Sequence, residues 1–480
     1  MAVFRAVVSG WSVPCVSIQL TLSQLHSSSD VYHGTMVGAP KPMRWLVRAS
    51  VLIAVTRSVH ASSVASSLHP ADASAARAAK QAHNGQSPLI LAPPADSFPP
   101  YEPQPFFRFE LVHESSKSRA RVGRIHTPHG IIDTPGFVPV GTNAALKGMT
   151  NSQSADAGVQ LMFCNTYHLI VHPGPDVVAE AGGLHAYMGR TRPIITDSGG
   201  FQVFSLAASE AADSPELKRR SATRGRNEGT LLSVSERGVR FRSYFDSTTI
   251  KLTPESSVQA QKKLGADIII PLDELPPNGV SRERLLESVG LSHRWMARSL
   301  REHLADRRQQ AMYAVVHGGT DREMRSASVD YLSSLPFDGM AVGGSLGRDR
   351  AEMMDLLQYL MPLLPREKPN HLLGIADPGS VLAAAPLGVD TFDSCFPTRV
   401  ARHGTLFTRQ GTLDIAQSKH RNDFGPIDPT MPTLECSRAY MHHLCKMREP
   451  LYATLASMHN IQFMTELMTD IRTRILADDL

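Results

Sequence analysis

Three carboxylates in this chain each follow a short apolar run, and each has neighbours suited to a polar substrate. Asp197 lies in TDSGGFQVFSL (residues 196–206), where a glycine pair lets backbone N–H groups come close to a planar ligand. An acid in such a turn equally suits the cap of a following helix. Asp273 lies in GADIIIPLDEL (residues 265–275), after an apolar strand and before Pro-Pro-Asn. From a loop there it can accept two N–H bonds from the Watson–Crick edge of a guanine-like base; a structural ion pair is the other use. Asp393 lies in FDSCFPTRVARHGTLFT (residues 392–408), followed by Arg399 and Arg402. Two arginines beside a carboxylate suit a phosphate-bearing substrate, and a buried Asp–Arg salt bridge would use the same residues.

The elements that must position these acids repeat one pattern. PIIT ends at Asp197, ADIIIPL at Asp273, MYAVV at His317, MAV at Gly343 and Gly344, HLLGIA at Asp377 and VDTF at Asp393. Short β-rich runs alternating with helical sequence predict α/β architecture with a parallel sheet. The repeat points to a (β/α)8 TIM barrel over 106–425, with its site at the carboxyl ends of the strands. A doubly wound sheet is the alternative, but no glycine fingerprint follows the first strand. Residues 426–480 read as a C-terminal helical subdomain.

Composition sets the frame. The 480 residues are 42% apolar and 20% charged, as in ordinary globular proteins, and the formal net charge of +4 permits nucleic-acid binding without requiring it. Five scattered cysteines argue against a secreted disulfide framework. No run is long and apolar enough to span a bilayer. Residues 1–105 differ from the rest: the first hundred contain only Asp30, Asp72 and Asp96 as acids, amid Ser, Ala, His and scattered Arg. That composition reads as a leader for an organelle, mitochondrion or plastid; cytoplasmic residence is the alternative. MRWLVRASVLIAV (residues 43–55) adds a signal-like apolar segment, and LAPPADSFPPYEPQP (residues 91–105) a Pro-rich linker. The leader and linker are expected to be disordered or cleaved. Residues 207–229, charged and without periodicity, read as an insertion in the barrel.

Taken together the motifs say more. TDSGGFQVFSL, FRSYFDSTTIKLTPE, GADIIIPLDEL, VVHGGTD, VGGSLG, LLGIADP, FDSCFPTRVARHGTLFT and SRAYMHHL occur in this order from about Phe106 to about Leu467. This set closely resembles the tRNA-guanine transglycosylase family, the queuine tRNA-ribosyltransferases. The resemblance implies a (β/α)8 barrel that exchanges guanine at the wobble position of a tRNA anticodon for queuine or a related 7-deazaguanine. Asp393 matches the family's nucleophile, which would form a covalent ribosyl-enzyme as retaining glycosidases do. Asp197 matches the general acid/base. Asp273 matches the residue that reads the base, with Ser198, Gly199, Gly200, Phe201, Gln202, His317, Gly343 and Gly344 as further pocket residues. Gly374, Ile375, Ala376, Asp377, Pro378, Gly379 and Ser380 match one RNA-contacting segment, and Thr398, Arg399, Val400, Ala401 and Arg402 another. A homodimer, or a heterodimer with a homologous subunit, is expected.

Three departures qualify the resemblance. His317 stands where the family has Gln; an imidazole donates or accepts one bond at a time, so its protonation enters base recognition. The family's zinc site, Cys-x-Cys-x-x-Cys with a later His, is degenerate in IDPTMPTLECSRAY (residues 427–440): only Cys436 and His459 match, so no metal site is expected. Gly347 stands where bacterial members carry a bulkier residue, which favours queuine over the smaller bacterial precursor. The competing reading is a non-catalytic accessory, RNA-binding subunit, and retention of all three acids opposes it. A third reading, modification of the tRNA D-loop, is disfavoured because no further RNA-binding domain follows the barrel.

Overall fold

The computed structural model describes residues 92–211, 231–277, 279–431 and 434–480. Residues 1–91 of the leader and linker expected over 1–105, and all but the first residues of the insertion expected over 207–229, lie outside the described residues. Three antiparallel strands come first: β1 (Arg108–Glu114), β2 (Arg121–Thr127) and β3 (Gly130–Thr134). The barrel then alternates strand and helix. It begins with β4 (Gly136–Gly141), α1 (Asn151–Asp156), β5 (Met162–Cys164), α2 (Thr166–Val171), α3 (Pro175–Glu180) and α4 (Leu184–Met188). It continues with β6 (Ile194–Thr196) and α5 (Gly200–Ala211). A second three-stranded sheet of β7 (Leu231–Ser235), β8 (Gly238–Arg242) and β9 (Thr249–Leu252) interrupts it before α6 (Pro254–Leu264).

The repeat resumes with β10 (Ile268–Ile269), α7 (Arg282–Ala305), β11 (Ala311–Val316), α8 (Arg322–Ser333), β12 (Gly339–Val342) and α9 (Arg350–Leu360). It ends with β13 (Asn370–Leu372), α10 (Pro378–Ala384), β14 (Thr391–Ser394) and α11 (Phe396–Arg402). The strands β4, β5, β6, β10, β11, β12, β13 and β14 form a closed parallel barrel, β14 pairing with β4. The expected (β/α)8 barrel is the fold observed.

Local chemistry explains why the segments start where they do. Thr253 and Ser256 form a reciprocal cap on α6, with Pro254 in its first turn. Asp321, Asp349 and Asp377 cap α8, α9 and α10 through their side chains. At the amino end of the barrel, Asp267, Asp338 and Asp390 repeat one device. Each carboxylate accepts a backbone N–H of the neighbouring strand, from Ile194, Met312 and Asn370, at 2.8 Å in all three cases. Their counter-charges differ: His129 and His185 for Asp267, Arg307 for Asp338 and Arg121 for Asp390.

β10 is short for a physical reason. Pro271 cannot donate to a ladder. The side-chain amide of Gln261 on α6 stands in for strand pairing at Ile270, accepting its N–H at 3.1 Å and donating to its carbonyl at 2.8 Å. The chain thus leaves the barrel with its backbone satisfied and carries Asp273 onto the loop.

Two boundaries differ from the sequence expectation. The Pro-rich stretch is docked: Phe98 and Phe107 are buried, Arg301 lies over the Phe98 ring at 4.9 Å, Lys368 over Tyr101 at 4.2 Å, and the Tyr331 hydroxyl donates to the Pro93 carbonyl. Its aromatic residues bury apolar area that a free linker would leave in water. The C-terminal segment has β15 (Thr405–Thr408), β16 (Gly411–Asp414), α12 (Arg438–Met447) and α13 (Pro450–Leu476). It is only partly a separate subdomain, because α13 packs on β4, α1 and α10 and takes the place of the eighth barrel helix. Thr465 and Arg472 of α13 donate to the carbonyls of Ala157 and Pro135.

Candidate active site

Asp197, Asp273, His317, Gly344 and Asp393 all lie at the carboxyl ends of barrel strands, the end where such barrels carry their chemistry. Asp197 follows β6. It is buried, and its two oxygens accept from the Asn165 amide at 2.8 Å and the Thr166 N–H at 2.7 Å. Burial pushes its carboxyl up to about 6; hydrogen bonds from Asn165, Thr166, Gln202 and Gly199 favour the ionised form and limit the rise. The Thr166 hydroxyl also donates to the Asp197 carbonyl, at 2.6 Å. Sequence reasoning missed Asn165 and Thr166. Their signal was CNTYHL directly after the apolar run LMF, the same strand-end pattern that marked the acids.

Gln202, one turn into α5, turns its amide N–H toward Asp197, while its buried Oε1 has no protein hydrogen-bond partner. A buried acceptor without a donor marks a place for a ligand N–H. Phe201 is 58% exposed beside it, an aromatic face open to stack on a planar ring.

Asp273 is buried and bonded to His317, Nε2 to Oδ2 at 2.8 Å. The His317 backbone N–H donates to the Ser328 hydroxyl at 3.1 Å, which bonds His293 Nε2 at 2.9 Å. His317 is therefore the partner of Asp273, a contact that its place in VVHGGTD did not reveal.

Asp393 lies within β14. His371 Nε2 is 3.0 Å from its Oδ1, and the Gly374 N–H donates to the same oxygen at 2.8 Å. His371 is fully buried, with Nδ1 bonded to the Thr391 hydroxyl at 2.8 Å. Neither arginine of the motif pairs with Asp393. Arg399 is exposed, and Arg402 donates to the Thr398 carbonyl at 2.8 Å. The salt-bridge alternative is thereby removed, and His371 was the partner the sequence concealed.

A cavity of about 530 Å³ is lined by Gly374 to Gly379 of the first segment matched to RNA contact, but by Arg399 alone of the second, with Phe396 just before it. Arg350 joins them, donating to Asp377 at 2.6 Å and to the Ser380 hydroxyl at 3.2 Å. Ser394, next to Asp393, also lines this space. Ser380, Thr398, Val400, Ala401 and Arg402 are not part of its lining, which Phe396, Phe407 and Phe463 make partly aromatic.

Gly347 has a local explanation. Its φ is +118°, and a Cβ there would stand 2.7 Å from that of Glu352. The turn into α9 thus favours glycine on backbone grounds as well.

The family's zinc ligands do not fit the residues present. Cys436 and Cys445 pack with Leu406, Ile415, Ile427, Met441 and Leu444 in an apolar cluster. His459 Nε2 is committed to the Phe407 carbonyl at 2.7 Å. Among the described residues, the group of metal-type ligands that does converge is His129, His185 and Asp267, within 4.8 Å of one another. Its two imidazoles stack at 3.4 Å and 10°, so an ion between their nitrogens would lie out of the ring planes. The group is an ion-pair cluster that staples the amino end of the barrel.

The sequence model of the queuine tRNA-ribosyltransferase family matches residues 115–480. A queuine tRNA-ribosyltransferase of Protochlamydia amoebophila is 55% identical over 376 residues, covering 78% of this chain and 96% of that protein. Proteins of the same name from Chlamydia pneumoniae and Chlamydia abortus are 48% and 49% identical, each covered over 99% of its length. Barrel, strand-end acids and full-length similarity agree: this chain belongs to the queuine tRNA-ribosyltransferase family, enzymes of pentosyl transfer that act on tRNA.

Proposed function

We propose that this chain replaces guanine at the anticodon wobble position with queuine or a related 7-deazaguanine, through a covalent ribosyl-Asp393 intermediate. The observation that carries the reading is the state of Asp393: Oδ1 is held by His371 and Gly374, while Oδ2 has no protein partner among the described residues. In this mechanism Oδ2 attacks ribose C1′, the bond from C1′ to guanine N9 breaks, and guanine leaves with the electron pair and takes a proton at N9 from Asp197. Asp197, with its carboxyl near 6, carries or releases a proton close to neutrality and takes the one on N9 of the incoming base. That base then attacks C1′ and frees Asp393, so two displacements retain configuration. Asp273 and the Gln202 acceptor suit the N–H groups of a guanine-type edge. The names of the relatives support queuine as the incoming base.

The test is release of labelled guanine from tRNA on addition of queuine, with trapping of a protein–RNA adduct. The wild type should release label and form the adduct, and Asp393→Ala should do neither. A wild type that releases no label would favour the accessory-subunit reading. A homodimer, or a heterodimer with a homologous subunit, is proposed from the family resemblance, and light scattering checks it. Organelle delivery by residues 1–105 is proposed from composition alone, and a fluorescent fusion of that segment checks it.

A further inference from the structure

We propose that His317 holds the carbonyl of the bound base only as the imidazolium, so that base binding takes up one proton from solvent. The inference rests on the base-exchange reading above and adds how this pocket recognises its base.

An ionised carboxylate only accepts. With Asp273 Oδ2 at 2.8 Å, His317 Nε2 must carry hydrogen; the opposite tautomer would aim a lone pair at a carboxylate oxygen. In the neutral ring Nδ1 is then a bare acceptor. Nδ1 has no partner among the described residues and lies on the Gly344 side of the pocket, where a Cβ built on Gly344 would stand 3.4 Å from it. A base carbonyl arriving there is also an acceptor, and two acceptors repel. Protonation converts Nδ1 to a donor, completes an imidazolium–carboxylate pair with Asp273, and leaves Asp273 Oδ1 for the N–H groups of the base. A glutamine at this position would donate at any pH, whereas the imidazole does so only when charged.

The ionisable groups around His317 are Asp273, His293 and Arg325. His293 on α7, reached through Ser328, is held neutral because burial pushes it down to about 3. Arg325 on α8 is buried with its guanidinium on the carbonyls of Val316, Gly319 and Ser345, and it opposes a second positive charge.

The experiment uses the full chain, tRNA and labelled guanine, measuring KM for guanine and kcat separately from pH 6 to 9. On the alkaline side KM for guanine should rise towards tenfold per pH unit, and His317→Gln should abolish that rise. His317→Asn serves as the second donor variant if the first does not fold. A wild-type KM that stays flat over this range overturns the inference while leaving base exchange intact. Guanine exchange absent at every pH overturns instead the base-exchange reading on which it rests.

Discussion

His371 and Gly374 hold the same oxygen of Asp393: the imidazole Nε2 lies 3.0 Å from Oδ1 and the backbone N–H 2.8 Å from it. Thr391, two residues before Asp393 on β14, fixes the far side of the ring at 2.8 Å. A carboxylate with one oxygen tethered twice cannot rotate, so its other oxygen has a set direction. His371 is a positioning residue in this arrangement. His371→Phe keeps a ring in the buried site but removes one tether, and kcat for base exchange should fall by about 10²-fold, the scale of a misaligned nucleophile. KM for tRNA should change little. Steady-state kinetics check the split.

On the proposed mechanism Asp197 should set the acid side of the pH profile. Its ionised form is the one that accepts a proton, so kcat should fall as pH drops through about 6. The Asn165 amide favours the ionised form, at 2.8 Å. Removing it in Asn165→Ala should move the acid limb to higher pH, which a kcat profile from pH 5 to 8 measures.

Stability should depend on the cluster below the barrel. Burial pushes the Asp267 carboxyl up, but hydrogen bonds from His129, His185 and the Ile194 N–H outweigh it and hold the group below the usual range. Its contribution is present above the unfolded value of about 4 and is lost as pH falls through the folded one. His129 is raised by its hydrogen bond to Asp267, so its contribution is full below about 6.5 and is lost as pH rises through the folded value. Tm should therefore peak between these limits. Asp267→Ala leaves the buried Ile194 N–H and the largely buried His185 without their acceptor and should cost about 3–5 kcal/mol. Calorimetry across pH checks both statements.

The docked Pro-rich segment should belong to the working enzyme. A chain beginning at residue 92 keeps Phe98 against Arg301 and Tyr101 against Lys368, and should melt like the full chain. One beginning at 106 loses them, with about 2 kcal/mol from Phe98 burial alone, and should melt several degrees lower.

A chelator should leave Tm unchanged, since Cys436 and Cys445 sit in an apolar cluster and His459 is spent on a backbone carbonyl. Metal analysis of the purified chain with a melting curve in EDTA checks this; one zinc per chain would count against it.

The sequence by itself determined the barrel and the strand-end acids. Both are written in local pattern: an apolar run, an acid or glycine where it ends, then a capped helix. β6, β11, β12 and β14 lie where such runs predicted, with Asp197, His317, Gly343 and Asp393 at or beside their ends. What only the tertiary structure decided is which groups meet. His371 reaches Asp393 from the neighbouring strand, Asn165 reaches Asp197 across 32 positions, and His317 reaches Asp273 across 44. Partners on adjacent strands are separated by a whole helix in sequence, so periodicity cannot pair them. The arginines beside Asp393 looked like its partners because they were near in sequence, yet α11 carries them away from it. Closure of the barrel brings the real partners within hydrogen-bond distance. It thereby makes Asp393, a lone acid in the sequence, a carboxylate with one oxygen fixed and the other open.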